Sequence, residues 1–202
     1  MQRMSIRFVS LLVLTLALTA PAMAYNVVNT SAPQVNCIFA TNCVNPVISD
    51  MVSPLPSGGR IQSRIQQGQP GSPAAGKWLY KYRVDMTNAV GILSIPYVSS
   101  MNIAGWGPIR QYDYNFDLNA TDHVFNVTVG GIGTKGISAS FIFFGTTFFN
   151  LGSNVYGGGS PGTGESSYFW GLVSDYPPVV RNATVQTDNG AVTVSVYAPS
   201  AP

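Results

Sequence analysis

The chain has 202 residues, 46% of them hydrophobic and only 9% charged, with ten Lys and Arg, eight Asp and Glu, and one His. A soluble domain ordinarily carries about 25% charged residues, so Ser, Thr, Asn and Gln must supply the polar surface here. These numbers disfavour a nucleic-acid partner, which needs clustered Lys and Arg, and a helical bundle, for which the single Glu165 is too few; abundant Val, Ile, Phe and Tyr disfavour disorder.

Residues 1–24 read as a secretory signal peptide. Arg3 and Arg7 open it, Phe8 to Leu18 are apolar, and Ala22-Met23-Ala24 is a small-residue cleavage site, with the cut expected before Tyr25. The apolar run is shorter than the roughly 20 residues of a spanning helix, and Pro21 interrupts it. Cleavage removes Arg3 and Arg7, two of the ten basic residues, leaving a formally neutral chain with no long-range field to steer a charged partner. No later stretch approaches a membrane-spanning length, so the expected location is secreted, extracellular or at the cell surface.

Cys37 and Cys43 follow in NCIFATNC. In an oxidising compartment so close a pair is expected to form a local disulfide, which the chain-entropy model values at about 2.4 kcal/mol. Redox or zinc chemistry would want C-x-x-C spacing or further His and Cys ligands. Residues 25–76 are otherwise rich in Pro, Gly, Asn, Gln and Ser, and predict an extended arm with sparse structure. Within it, Val44 to Val52 and Arg60 to Ile65 can each make a strand or a helical turn.

Residues 77–202 predict the folded domain. Trp78, Tyr80, Tyr82, Val84 and Met86 alternate with Lys77, Leu79, Lys81, Arg83 and Asp85, which describes a half-buried strand. Ile92 to Val98, Tyr112 to Leu118, His123 to Val129, Ser167 to Val173, Val179 to Thr187 and Ala191 to Tyr197 continue the series. Gly136 to Phe149 fits one strand covered on both faces. Asn189-Gly190 favours the primed turn of a tight hairpin. No stretch shows a convincing capped helix. The expected class is all-β: an antiparallel β-sandwich or jelly roll behind an extended N-terminal arm.

Three constellations carry candidate chemistry. Asp113, Asn115 and Asp117 resemble the opening of a Ca²⁺ loop, but Leu118 stands where Gly is needed and Val124 where the bidentate Glu belongs. The acids and amides are fully explained as the solvent face of an alternating strand, which is the preferred reading; the metal alternative is a Ca²⁺ site at Asp117, Asn119 and Asp122. His123 has no G-x-S-x-G elbow to serve, so no catalytic residue and no cofactor is assigned. Trp106, flanked by Gly105 and Gly107, is the expected exposed platform for a sugar ring, with Tyr112 and Tyr114 beside it. Four N-x-S/T sequons lie at Asn29, Asn119, Asn126 and Asn182.

The segment Ser167 to Asp175, followed by a strand with Val180, Ala183 and Val185, resembles the late strands of secreted bacterial β-sandwich domains common in PEP-CTERM-type extracellular proteins. The C-terminal Tyr197-Ala-Pro-Ser-Ala-Pro202 lacks that group's sorting helix and basic tail. The resemblance implies an exported sandwich of matrix or surface type and carries over no functional residue. The export signal, scarce ionisable groups, neutral processed chain and apolar extended arm together give the expected function, a secreted, non-catalytic surface, matrix or filament protein. Its partner is itself or another extracellular surface component, reached by strand addition from the arm. The alternative is a glycan-binding module centred on Trp106.

Overall fold

The computed structural model describes residues 22–91 and 94–200. Most of the predicted leader lies outside the described residues. Its last positions belong to β1 (Met23–Tyr25), followed by β2 (Val27–Ser31), α1 (Ala32–Phe39), β3 (Ser49–Pro54), β4 (Arg60–Gln67) and β5 (Trp78–Asp85). Then come β6 (Tyr97–Ala104), β7 (Val124–Val129), β8 (Ile137–Phe143), β9 (Thr146–Tyr156), β10 (Trp170–Ser174), β11 (Pro178–Thr187) and β12 (Gly190–Pro199). They form two six-stranded sheets, β1-β8-β9-β6-β11-β12 and β2-β7-β10-β5-β4-β3. The fold is an all-β sandwich.

Pairing is antiparallel throughout except between β2 and β7. β1 and β2 are nearly one continuous segment that changes sheet at Asn26, so it runs antiparallel to β8 and parallel to β7. Between the sheets lie Tyr82, Val84, Trp170 and Leu172 from one side and Met101, Ile103, Phe149 and Val185 from the other. Tyr82 packs its ring 5.8 Å from Phe149 and 6.3 Å from Trp170. Burial of each such side chain contributes about 1.5–3 kcal/mol.

Residues 25–76, expected as an extended, sparsely structured arm partly laid across the domain, are an integral part of the sandwich. They supply β2, β3 and β4, three of the six strands of the second sheet, and α1. The polar, turn-rich composition marks short strands joined by tight loops, with Ile61 and Ile65 buried in the core. α1 was also unanticipated, although Ser31-Ala32-Pro33-Gln34 is a capping box: the Ser31 hydroxyl accepts from the Gln34 N–H, and the Gln34 side chain accepts from the Ser31 N–H. Pro33 stands in the first turn, where its missing N–H costs nothing. The Cys37–Cys43 disulfide forms, with a Cα–Cα distance of 3.9 Å, and ties the end of α1 to the following loop.

α1 and the loop containing Tyr114 cover the outer face of the second sheet, enclosing a second core of Val35, Ile38, Phe39, Leu79, Phe125 and Val173. β5 is therefore buried on both faces and not half-exposed. On its second face Asp85, 3% exposed, accepts from Arg60 Nε at 2.9 Å and Nη2 at 2.7 Å and from the Thr87 hydroxyl at 2.6 Å.

Two further expectations change. Gly136 to Phe149 is a hairpin, β8 and the start of β9, whose two-residue turn has positive φ at both Phe144 (45°) and Gly145 (69°). Such values belong to the primed turns that match strand twist. The Asn189-Gly190 hairpin exists, but there φ is positive only at Gly190 (98°), and neither Asp188 nor Asn189 takes the primed conformation.

Candidate functional site

The structure does not assemble the expected sugar platform. Trp106 is 4% exposed and sits edge-on to Tyr80, with ring centroids 5.4 Å apart. Gly105, at φ 77°, turns the chain inward, and the N–H groups of Gly105 and Trp106 both donate to the Gly145 carbonyl. The ring thus joins the inter-sheet core. Tyr114 is fully buried against Phe125 at 4.6 Å, in the second core. Tyr112 is half-buried, its ring 6.3 Å from Phe39. Core packing claims all three aromatics.

The acidic segment is neither an alternating strand nor an open ligand cage. It is a looped turn in which Phe116 and Leu118 have positive φ. Each acid is spent on the backbone. Asp113 accepts from the Asp117 and Leu118 N–H groups at 2.9 and 2.8 Å, and Asp117 accepts from the Asn119 N–H at 2.9 Å. Asp122 is buried and accepts from the Tyr114 N–H and Asn26 Nδ2, both at 3.0 Å. Burial raises its carboxyl above the ordinary range; the Tyr114 N–H opposes this, while the Asp117 and Asp113 charges add to it. Asp122 is thus committed to Tyr114 and Asn26 while Asp117 and Asn119 are exposed, and no group of three or more His, Cys, Asp or Glu among the described residues is placed to share a metal. His123 stacks on Tyr25 at 5.0 Å, and its Nε2 lies 2.9 Å from Gln111 Nε2. Burial lowers its pKa, against the attraction of Asp122.

The structure instead presents an open sheet face that strand alternation alone does not place. The second sheet is roofed by α1, whereas the described residues leave the outer face of the first sheet open. One row runs across five strands in register: Phe141, Phe148, Asn102, Thr184 and Thr193. The next row is Ala139, Asn150, Ser100, Gln186 and Ala191. Neither row holds an ionisable side chain. Their neighbours Met101, Ile103, Phe149, Ala183 and Val185 point inward and are buried, so the two rows face solvent.

Aromatic groups gather at one end of this face. Phe141 and Phe148 stack at 4.8 Å with 9° between their planes. Phe144, at the β8–β9 turn, is 70% exposed and lies 4.4 Å edge-on to Phe143. A bulky residue at positive φ stores backbone strain, a feature that collects at functional positions. The face offers amides, hydroxyls and ring edges. It can bind flat, neutral matter by contact, at no cost of stripping water from a charge.

Comparison with protein-family models, with curated proteins and with solved structures found no match. Among the described residues, no helix is long and apolar enough to cross a membrane.

Proposed function

We propose that this protein is a secreted, non-catalytic β-sandwich of the extracellular surface or matrix, and that it acts by contact through the outer face of its first sheet. The single observation that carries this reading is the bare face just described: two in-register rows without an ionisable group, ending in the strained, exposed Phe144. The other sheet is covered by the protein's own helix, so the first sheet is the surface left for a partner. Because β2 to β4 are integral to the second sheet, the contact proceeds through a completed face and not through a donated arm.

Size-exclusion chromatography and electron microscopy of the protein purified as its source processes it test the reading. Self-association or attachment to the source surface is expected, and Thr184→Lys, which plants a charge mid-face, abolishes it. A strict monomer with no surface attachment, unchanged by Thr184→Lys, would count decisively against it.

A second reading, a neutral-glycan-binding module, draws support from the Phe141–Phe148 stack beside the Asn102 and Asn150 amides. It places the sugar on the sheet face and not at Trp106. Retention on insoluble neutral polysaccharide, lost in Asn102→Lys, distinguishes it from self-association.

A further inference from the structure

On the covered side of the molecule, α1 and residues 130–132 roof a cavity of about 240 Å³ on the second sheet. Arg64 of β4 and Lys81 of β5, direct cross-strand partners, line its floor. Val35, Ile132 and Phe169 make apolar walls.

The two floor cations differ in their surroundings. Arg64 donates through Nε to Asp50 at 2.7 Å and lays its guanidinium 4.6 Å from the Phe169 ring centre. Nearby Arg83 is paired with Asp85 at 3.3 Å. Lys81 makes no ion pair or hydrogen bond with any described residue. Its stem is seated over Gly171, where an added Cβ would stand 3.1 Å from Lys81 Cγ and 2.6 Å from Phe125 Cζ. Burial lowers the amine to about 8, Arg64 pushes the same way and Asp50 opposes. At neutral pH it remains largely an ammonium. Half-buried beside apolar walls, the ammonium has only the longer-range attraction of Asp50 among the described residues, so a ligand that brings a counter-charge to it is favoured.

We propose that this cavity binds a small monoanion with a flat apolar body, of the aromatic carboxylate class, its oxyanion on Lys81 and its body against Phe169, Val35 and Ile132. One negative charge suffices because Arg64 and Arg83 already have carboxylate partners. The volume lies below that of pockets for drug-sized molecules, which restricts the ligand to a single ring or a short chain. This inference is independent of the contact face on the opposite sheet.

Benzoate and its uncharged isostere benzamide are the probes, followed by chemical-shift titration of the protein purified as its source processes it. Benzoate is expected to saturate and benzamide not. Lys81→Met, which keeps a stem over Gly171, should weaken benzoate by about tenfold or more, and Phe169→Ala should weaken it also. In the unmodified protein, benzoate should slow acetylation of Lys81 while leaving Lys77 and Lys135 unaffected, a readout that needs no variant to fold. Equal affinity for benzamide, undiminished binding in Lys81→Met, absence of saturation at millimolar benzoate, or unprotected Lys81 would each overturn the proposal.

Discussion

The carboxamide of Asn126 on β7 holds both backbone groups of Ile137 at the start of β8: Nδ2 donates to the Ile137 carbonyl at 3.0 Å, and the Ile137 N–H donates to Oδ1 at 3.0 Å. This side chain stands in for a strand partner and joins one sheet to the other. The approach is close enough that a Cβ on Gly136 would come 3.1 Å from the amide. Asn126→Ala leaves a buried donor and acceptor unpaired, and is expected to cost about 3 kcal/mol. Urea unfolding should show a lower midpoint at unchanged slope. The sequon at Asn126 should carry no glycan, because its amide is buried and spent; mass spectrometry of tryptic peptides checks this.

The Asp85 cluster sets the acid limb of stability. Burial alone would raise the Asp85 carboxyl, but hydrogen bonds from Thr87 and Arg60 and the charge of Arg83 outweigh it and hold it below the ordinary range. A depressed carboxyl stabilises the fold above its unfolded value near 3.9, and that contribution is lost as pH falls through the lower folded value. Asp85→Ala should therefore cost about 3–5 kcal/mol at neutral pH by stranding Arg83. Relative to wild type, its stability should change less between pH 5 and pH 2, as followed by thermal unfolding.

Lys81 acts in the alkaline range with the opposite sense. Its folded value, about 8, lies below the unfolded value near 10.4, so the unfolded chain binds more protons between them and stability rises with pH in that window. Of the groups facing it, Arg64 lowers the amine and Asp50 raises it, while α1 and residues 130–132 bring no ionisable side chain. The gain should be about 2–3 kcal/mol, most of it before pH 10. Above that, stability falls, because burial raises Tyr80, Tyr82 and Tyr114 while the unfolded phenols ionise near 10. Denaturant midpoints at pH 7, 8, 9 and 10 should show the rise in wild type and its absence in Lys81→Met.

Phe144 is expected to trade stability for contact. Asn tolerates positive φ far better than Phe, so Phe144→Asn should stabilise the hairpin by about 1 kcal/mol. The same change removes an exposed ring and should weaken attachment through the first sheet. A variant that melts higher yet binds as well as wild type would dissociate the strain from the contact.

Strand periodicity placed β5, β7, β11 and β12 within a few residues, because alternation at period two reports the core face directly. The capping box at Ser31 and Gln34 is equally present in the chain, but a helix of eight residues amid polar, turn-rich sequence has no long apolar period to mark it. Trp106 misled for a different reason. Flanking glycines signal a turn, but only the Gly145 carbonyl, forty residues away along the chain, decides that the turn points inward.

Composition and alternation alone determined that this chain makes a low-charge, two-sheet β structure with a local disulfide, since both signals are carried by near neighbours. Which outer face the described residues leave open, which cation has no ion-pair partner among them and where the acids turn were decided by tertiary structure. Those outcomes depend on α1 docking over Leu79 and on Asn126 reaching Ile137, contacts between segments that share no local pattern.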